Sequence, residues 1–312
     1  MKTSEIQIRD PFILPLAESR WYYLFGTTDK NCWSGPPEGF DCYRSHDLEE
    51  WEGPFPAFRP PEGFWGELNF WAPEVHPYRG RFYMFASFKA EGRYRGTQIL
   101  VADDPAGPYV ALTDRPVTPE NWECLDGTLY VDENETPWVV FCHEWVQVHN
   151  GGVCATHLRD DLTGVAGRPV HLFNASEAPW VRKTNGPTAP AAKPLAPDPA
   201  TGSAPAHRFP CYVTDGPFLY RTRTGRLLML WSSHGAEGYA MGIARSLSGE
   251  ITGPWEQEPE PIWGRDGGHG MIFRAFDGRL FITVHSPNQT PLERPFFSEI
   301  EDLGDTVRLK SG

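Results

Sequence analysis

The chain has 312 residues and a net charge of −13, with 41 acidic against 28 basic side chains. That balance argues against nucleic acid or an anionic membrane surface as a partner, because both call for a positive face. No apolar run is long enough to span a bilayer. Residues 1–5 lack the apolar core of a secretory leader, so a cytoplasmic protein is expected, or a secreted or periplasmic one if a leader has been removed.

In chain order, five short motifs carrying a carboxylate or a histidine open segments that continue as aromatic, period-two strands. They are Arg9-Asp10-Pro11-Phe12, Trp71-Ala72-Pro73-Glu74, Leu125-Asp126-Gly127-Thr128, Thr214-Asp215-Gly216-Pro217 and Gly268-His269-Gly270-Met271. Taking Asp10, Glu74, Asp126, Asp215 and His269 as equivalent gives intervals of 64, 52, 89 and 54 residues. After each opening comes a second apolar strand, near 20–25, 80–85, 137–141, 225–230 and 278–282, and then a third. Short strands broken by Gly, Asp and Pro turns, with no long 3.6-residue period, mark an all-β chain. A repeat of this length with several strands per unit predicts a five-bladed β-propeller of four-stranded blades, with its active site at one mouth of the central cavity. The long interval has a local cause. Residues 183–210 are rich in Pro, Ala and Gly and read as a surface loop inserted into a single catalytic domain of residues 1–312. The six cysteines, Cys32, Cys42, Cys124, Cys142, Cys154 and Cys211, lack zinc-site spacing and read as buried thiols.

Equivalent strand starts meet around one axis, so the openings predict four carboxylates and a histidine at one mouth. Like charges converging in a partly dry cavity cost free energy unless a proton or a substrate is shared among them. Carboxylates with no basic partner suggest glycoside hydrolysis, in which one acid protonates the leaving oxygen and another handles water or the sugar carbon. Tryptophan faces pack against sugar rings, and Trp33, Trp71 and Trp145 are the candidates for that contact.

The motifs resemble glycoside hydrolase family 43 over nearly the whole chain. They are Ile8-Arg9-Asp10-Pro11-Phe12, Tyr43-Arg44-Ser45-His46-Asp47-Leu48, Trp71-Ala72-Pro73-Glu74, Leu125-Asp126-Gly127-Thr128-Leu129, Asp215-Gly216-Pro217-Phe218 and Gly268-His269-Gly270-Met271. The resemblance implies a five-bladed propeller acting by inversion on arabinose- or xylose-containing glycans. It implies that Asp10 is the general base and that Asp126 positions the acid and raises its pKa. The family's acid is a glutamate ahead of Gly-Pro, and this chain has Asp215 there. Aspartate is shorter by about one carbon–carbon bond, ~1.5 Å, and a misplacement of about 1 Å can cost on the order of a hundredfold in rate. Asp215 is the first choice as acid and Glu144, in Cys142-His143-Glu144-Trp145, the second.

Glu74 is expected near the cavity in a supporting role. His269 is either an imidazole accommodated at a tight turn or, as the resemblance implies, an axial residue able to hold a hydrated Ca²⁺ or another cation. A lone histidine does not satisfy calcium, so such an ion would be largely water-bound, and no cofactor is required. Arg9 would hold Asp10 ionised, unless strand alternation points it away. Arg294 is a candidate contact for a sugar hydroxyl or a surface residue. The Asp-Gly-Pro-Phe and His-Glu-Trp segments resemble branches acting on terminal α-L-arabinofuranose. An exo-acting α-L-arabinofuranosidase is therefore the first expectation, with β-D-xylosidase next. The insertion at 183–210 and the loop at 31–39 are candidates to wall off its pocket. A retaining fructosidase-like propeller, suggested by Trp122-Glu123-Cys124, and a non-catalytic sugar-binding propeller are the readings from other classes.

Overall fold

The computed structural model describes residues 1–30, 32–34, 36–187 and 208–310. Five antiparallel four-stranded sheets follow one another along the chain, each with its strands in sequence order. Blade I comprises Arg9–Leu16, Trp21–Thr27, Phe40–Ser45 and Glu52–Phe58. Blade II is Leu68–Tyr78, Arg81–Lys89, Gly96–Ala102 and Val110–Ala111; blade III is Cys124–Val131, Pro137–His143, Gly152–His157 and Val170–Asn174. Blade IV is Asp215–Arg221, Leu227–Gly235, Gly238–Ser246 and Trp255–Gln257; blade V is Ile272–Arg274, Leu280–Ser286, Arg294–Asp302 and Val307–Leu309. The chain is thus the expected all-β, five-bladed propeller. Among the described residues its one α-helix is the single turn Trp145–Val148.

The aromatic second strands account for the packing. Phe25, Phe85, Phe141 and Trp231 are fully buried between sheets, because alternate residues of a strand sandwiched between two blades all face apolar neighbours. The six cysteines are buried thiols, as expected. The 183–210 segment departs from a simple loop at its base, where Thr184–Pro187 pairs antiparallel with Arg208–Cys211. Residues 188–207 of that segment lie outside the described residues.

What aligns the blades is a four-residue frame at the head of each inner strand. In blades I to IV the ladder slips between Arg9 and Phe12, Trp71 and Glu74, Leu125 and Thr128, and Asp215 and Phe218. The second residue of every frame has a left-handed backbone: Asp10 at φ 55°, Ala72 at 46°, Asp126 at 55°, Gly216 at 50° and His269 at 45°. The openings are thus equivalent by backbone angle, which corrects the expected equivalence of Glu74 and Asp215 with Asp10. Gly-Pro and Ala-Pro occupy the shared second and third places, so Asp215 stands one residue before the Asp10 position and Glu74 two residues after it.

The bulged backbone turns the second residue's N–H toward the preceding blade, where a polar side chain receives it. Ala72 N–H donates to Thr27 Oγ1 at 2.8 Å, Asp126 N–H to Ser87 Oγ at 2.8 Å and His269 N–H to Ser232 Oγ at 2.8 Å. Asp10 N–H closes the circle onto His285 Nδ1 of blade V at 3.1 Å. The matching residue in blade III is Cys142, paired with Leu125, and a thiol is a weak acceptor. Gly216 N–H goes instead to Asp126 Oδ2 at 3.1 Å. Because the described blades I and V share no strand, the Asp10–His285 bond joins the buried Arg9–Glu293 ion pair, at 2.6 Å, in closing the ring.

Ser232→Ala leaves the buried His269 N–H unpaired and is expected to destabilise the fold by about 1–3 kcal/mol in urea unfolding. A change within a few tenths of a kcal/mol would show that the inter-blade bond contributes little.

Candidate active site

The first two residues of the frames line a cavity of about 200 Å³ at one mouth: Arg9 and Asp10, Trp71, Leu125 and Asp126, Asp215, and His269. The fourth residues form the layer beneath. Phe12 packs edge-on against His76 and Phe218, and Glu74 pairs with His76 at 3.2 Å. Glu74 is therefore buried below the cavity rather than on its wall, a correction to its expected place. It acts on the site through its negative charge, which favours a protonated His269.

His269 is the electrostatic centre. Its Nδ1 lies 3.2 Å from Asp10 Oδ1 and 3.7 Å from Asp126 Oδ2. Burial alone would lower its pKa, but Asp10, Asp126 and Asp215 outweigh it and hold the imidazole above its usual range. Gly216 makes room for the ring, since a Cβ there would sit 2.5 Å from His269 Cδ2.

The three aspartates then differ by neighbourhood. Burial would raise Asp10, but His269, Arg9 and the Thr27 Oγ1–H bond at 2.8 Å hold it below the usual carboxylate range. Arg9 helps from an anchored position, donating to Glu293 Oε1 at 2.6 Å and Asn288 Oδ1 at 2.8 Å. His285 is neutral: burial and the Arg9 charge press it down to about 3. Its Nδ1 accepts from Asp10 N–H while Nε2–H faces Asn288 Oδ1 at 3.1 Å. Asp126 lacks such help. Burial pushes it up to about 8, with the Asp215 and Asp10 charges adding to the effect against His269. Asp215 is also raised by burial, against the pull of His269 and of the Tyr239 hydroxyl, which donates to its Oδ2 at 2.9 Å. Asp126 and Asp215 together hold a proton near neutrality, while Asp10 is ionised. One carboxylate is thus ready to accept a proton while the neighbouring pair can donate one.

A chain of contacts forms one wall. Trp33 Nε1–H donates to Thr290 Oγ1 at 2.9 Å, its ring lies 5.2 Å from Trp71, and half of Trp33 is exposed at the mouth. Trp71 Nε1–H donates to Cys32 O at 2.7 Å. The Arg95 guanidinium lies 3.9 Å from the Trp71 ring centre and its Nε donates to Glu144 Oε2 at 3.1 Å. Glu144 and Trp145 complete the wall at the start of the short helix. The predicted residues Asp10, Asp126, Asp215, Glu144, His269, Trp33, Trp71 and Trp145 thus meet around one cavity. Arg294 does not: its guanidinium donates to the backbone oxygens of Ser4, Pro291 and Glu293, a correction to its role as a sugar contact. Tyr239, His285, Arg95 and Asn288 belong to the site or its support, and the sequence reading missed them. His285 could have been found by aligning it with Thr27, Ser87 and Ser232.

Among the described residues no three His, Cys, Asp or Glu side chains form a metal-binding group. His269 Nε2 is buried without a hydrogen-bond partner.

A propeller whose axis gathers carboxylates of unequal proton affinity, beside a tryptophan-lined wall, defines a glycoside-cleaving class of site. The profile described as glycosyl hydrolases family 43 matches residues 3–310, and the chain belongs to that family. A solved structure named as an endo-arabinase from Bacteroides thetaiotaomicron VPI-5482 is similar at 39% identity, with a TM-score of 0.83 over 96% of each chain. An extracellular exo-α-(1→5)-L-arabinofuranosidase of Cellvibrio japonicus (strain Ueda107) is 27% identical over 51% of this chain and 46% of its own length. An extracellular endo-α-(1→5)-L-arabinanase of Bacillus subtilis (strain 168) is 23% identical over 57% of each. The matches span about half the length of these two relatives.

The proton held on Asp126 sets a pH dependence. Its folded pKa of about 8 lies above the ordinary value, so the native state keeps a proton that the unfolded chain has lost. That contribution is complete below pH ~4 and is lost as pH rises toward 8. Asp126→Asn should therefore gain stability relative to wild type as pH rises, by up to about 1.4 kcal/mol for each pH unit between 4 and 8. Urea denaturation at the two pH values measures this, and a gap that does not widen with pH contradicts the assignment.

Proposed function

We propose that the protein is an inverting, exo-acting glycosidase that releases terminal α-L-arabinofuranose from arabinose-containing glycans. The observation that carries this reading is the division of the aspartates around His269. Asp10, ionised, takes a proton from water as the water oxygen bonds to the anomeric carbon. On the opposite side Asp215 gives its proton to the departing glycosidic oxygen as the old carbon–oxygen bond breaks. Asp126 stays between them, accepting from Gly216 N–H and sharing the pair's proton with Asp215.

Glu144 is assigned to substrate binding. Burial raises the proton affinity of its carboxyl against the pull of Arg95, whose guanidinium is tied to it at 3.1 Å and fixes it on the cavity wall. The cavity of about 200 Å³ supports the exo reading; it is smaller than the roughly 300–1,000 Å³ usual for a drug-sized ligand and suits a single sugar ring. Endo action is the second reading, favoured by the name of the Bacteroides relative. β-D-xylosidase activity is the runner-up in substrate. A retaining fructosidase-like chemistry is disfavoured because Glu123 spends its carboxylate on Lys89 Nζ at 2.5 Å and Arg95 N–H at 2.7 Å. A purely sugar-binding propeller would not need the proton held between Asp126 and Asp215. With its imidazole held toward the protonated form by the surrounding aspartates, His269 does not fit as the ligand of a cation, and no step above runs through one.

The test is a panel of 4-nitrophenyl pentosides and debranched arabinan on wild type, Asp10→Asn, Asp126→Asn, Asp215→Asn and Glu144→Gln. Asp10→Asn is expected to lose about 10²–10⁴-fold in kcat on every substrate, since a carboxamide cannot take the proton. Asp215→Asn should keep more activity on the aryl glycoside, whose leaving group needs little protonation, than on arabinan. NMR of the first sugar formed should show inversion, and arabinan should yield monomeric arabinose. Retention, early release of longer oligosaccharides, or leaving-group rescue at Glu144→Gln instead of Asp215→Asn would each overturn the corresponding part.

A further inference from the structure

Tyr239 sits in the third strand of blade IV yet lines the cavity, and it is almost fully buried. Three features fix its ring. It stacks against His285, with centroids 5.6 Å apart and planes 20° from parallel. His234 flanks it at 5.7 Å. It also passes beside Gly268, where a Cβ would lie 3.0 Å from Tyr239 Cε1 and 2.9 Å from Ser232 Oγ. Gly268 is the blade V counterpart of Asp215 in the frame, so its bare backbone opens the lane through which the phenol reaches the aspartate. At the end of that lane the hydroxyl donates to Asp215 Oδ2 at 2.9 Å.

An aspartate is held by one torsion fewer than a glutamate, and its carboxyl can still rotate about the Cβ–Cγ bond between several faces. A donor fixed on one oxygen decides which oxygen carries the transferable proton. We propose that Tyr239 is a positioning residue for the general acid: its hydroxyl occupies Asp215 Oδ2 and leaves the proton on Oδ1, toward the glycosidic oxygen. The inference rests on Asp215 being that acid. The phenol proton stays on Tyr239 throughout; burial and the surrounding carboxylates raise its pKa well above the usual range. The Asp215 proton goes to the leaving oxygen as the anomeric carbon–oxygen bond breaks, and Asp10 receives the proton of the attacking water.

The groups that act on Asp215 are His269, Tyr239 and His234, which lower its pKa, and Asp10, which raises it, while its charge in turn raises Asp126. His285 stacks on the tyrosine ring, and Arg9 lies within electrostatic reach of its hydroxyl. Removing the phenol leaves all of these in place and deletes one donor.

The experiment measures kcat and the pH profile of kcat/KM for wild type, Tyr239→Phe, Gly268→Ala and Asp215→Asn, with 4-nitrophenyl α-L-arabinofuranoside and α-1,5-arabinobiose. Tyr239→Phe is expected to lose on the order of ten- to a hundredfold in kcat on the disaccharide and less than about threefold on the aryl glycoside, with KM little changed. Its basic limb should move to higher pH, because the lost bond had lowered the acid's pKa, while the acidic limb set by Asp10 stays. Gly268→Ala, which pushes the ring aside without removing the hydroxyl, should show the same leaving-group dependence. Equal losses on both substrates, or an unmoved basic limb, in a folded Tyr239→Phe overturn the inference while Asp215→Asn remains leaving-group dependent. If Asp215→Asn itself shows no such dependence, the acid is elsewhere and both readings fall. Should Tyr239→Phe not fold, the same outcomes are read from Gly268→Ala.

Discussion

Five backbone N–H groups, one at the head of each inner strand and each received by the blade before it, set the geometry on which this molecule depends. A left-handed residue that is not glycine costs of order 1–3 kcal/mol, and four of the five positions carry that strain at Asp10, Ala72, Asp126 and His269. The hydrogen bonds their N–H groups donate to Thr27, Ser87, Ser232 and His285 offset it. The same bulge turns the side chains at three of those positions toward the axis. Strand pairing, blade closure and the gathering of reactive groups therefore follow from one local conformation repeated around the ring.

Gathering carboxylates in a dry cavity has an electrostatic consequence. Asp10, Asp126 and Asp215 cannot all ionise around one imidazole without large repulsion. Asp10 ionises, because His269 and Arg9 bring positive charge to it and the Thr27 hydroxyl donates to it. At Asp126 and Asp215 burial outweighs His269 and the bonds from Gly216 N–H and the Tyr239 hydroxyl, and a proton stays between them. The Arg9–Glu293 pair illustrates how closely fold and chemistry are joined: it stitches the last blade to the first and also presents its positive charge to Asp10.

Much of this was legible in the sequence because the repeat is explicit. Asp10, Asp126 and His269 each sit beside Gly or Pro at the head of an apolar strand, so both the propeller and the meeting of these residues could be read directly. The alignment slipped at Asp215 and Glu74 because acidity guided it, whereas the feature the blades share is a backbone angle; Ala72 and Gly216 hold the equivalent places without a functional side chain. Tyr239 and Arg95 were hidden for a different reason. Each reaches the site from a third strand or its approach, where an ordinary aromatic or basic residue carries no local sign of what it touches. Arg294 looked available as a free cation, but its guanidinium is taken up by backbone oxygens beside its own strand.

The most direct measurement is a carbon-13 NMR titration of protein labelled at the aspartate carboxyls, with Asp10→Asn, Asp126→Asn and Asp215→Asn used to assign the three buried signals. The account predicts that the Asp10 signal is already that of a carboxylate at pH 5. It also predicts that the Asp126 and Asp215 signals retain one proton between them through pH 7. Three carboxylates that all deprotonate below pH 5 would contradict it, because the hub would then hold no proton to donate.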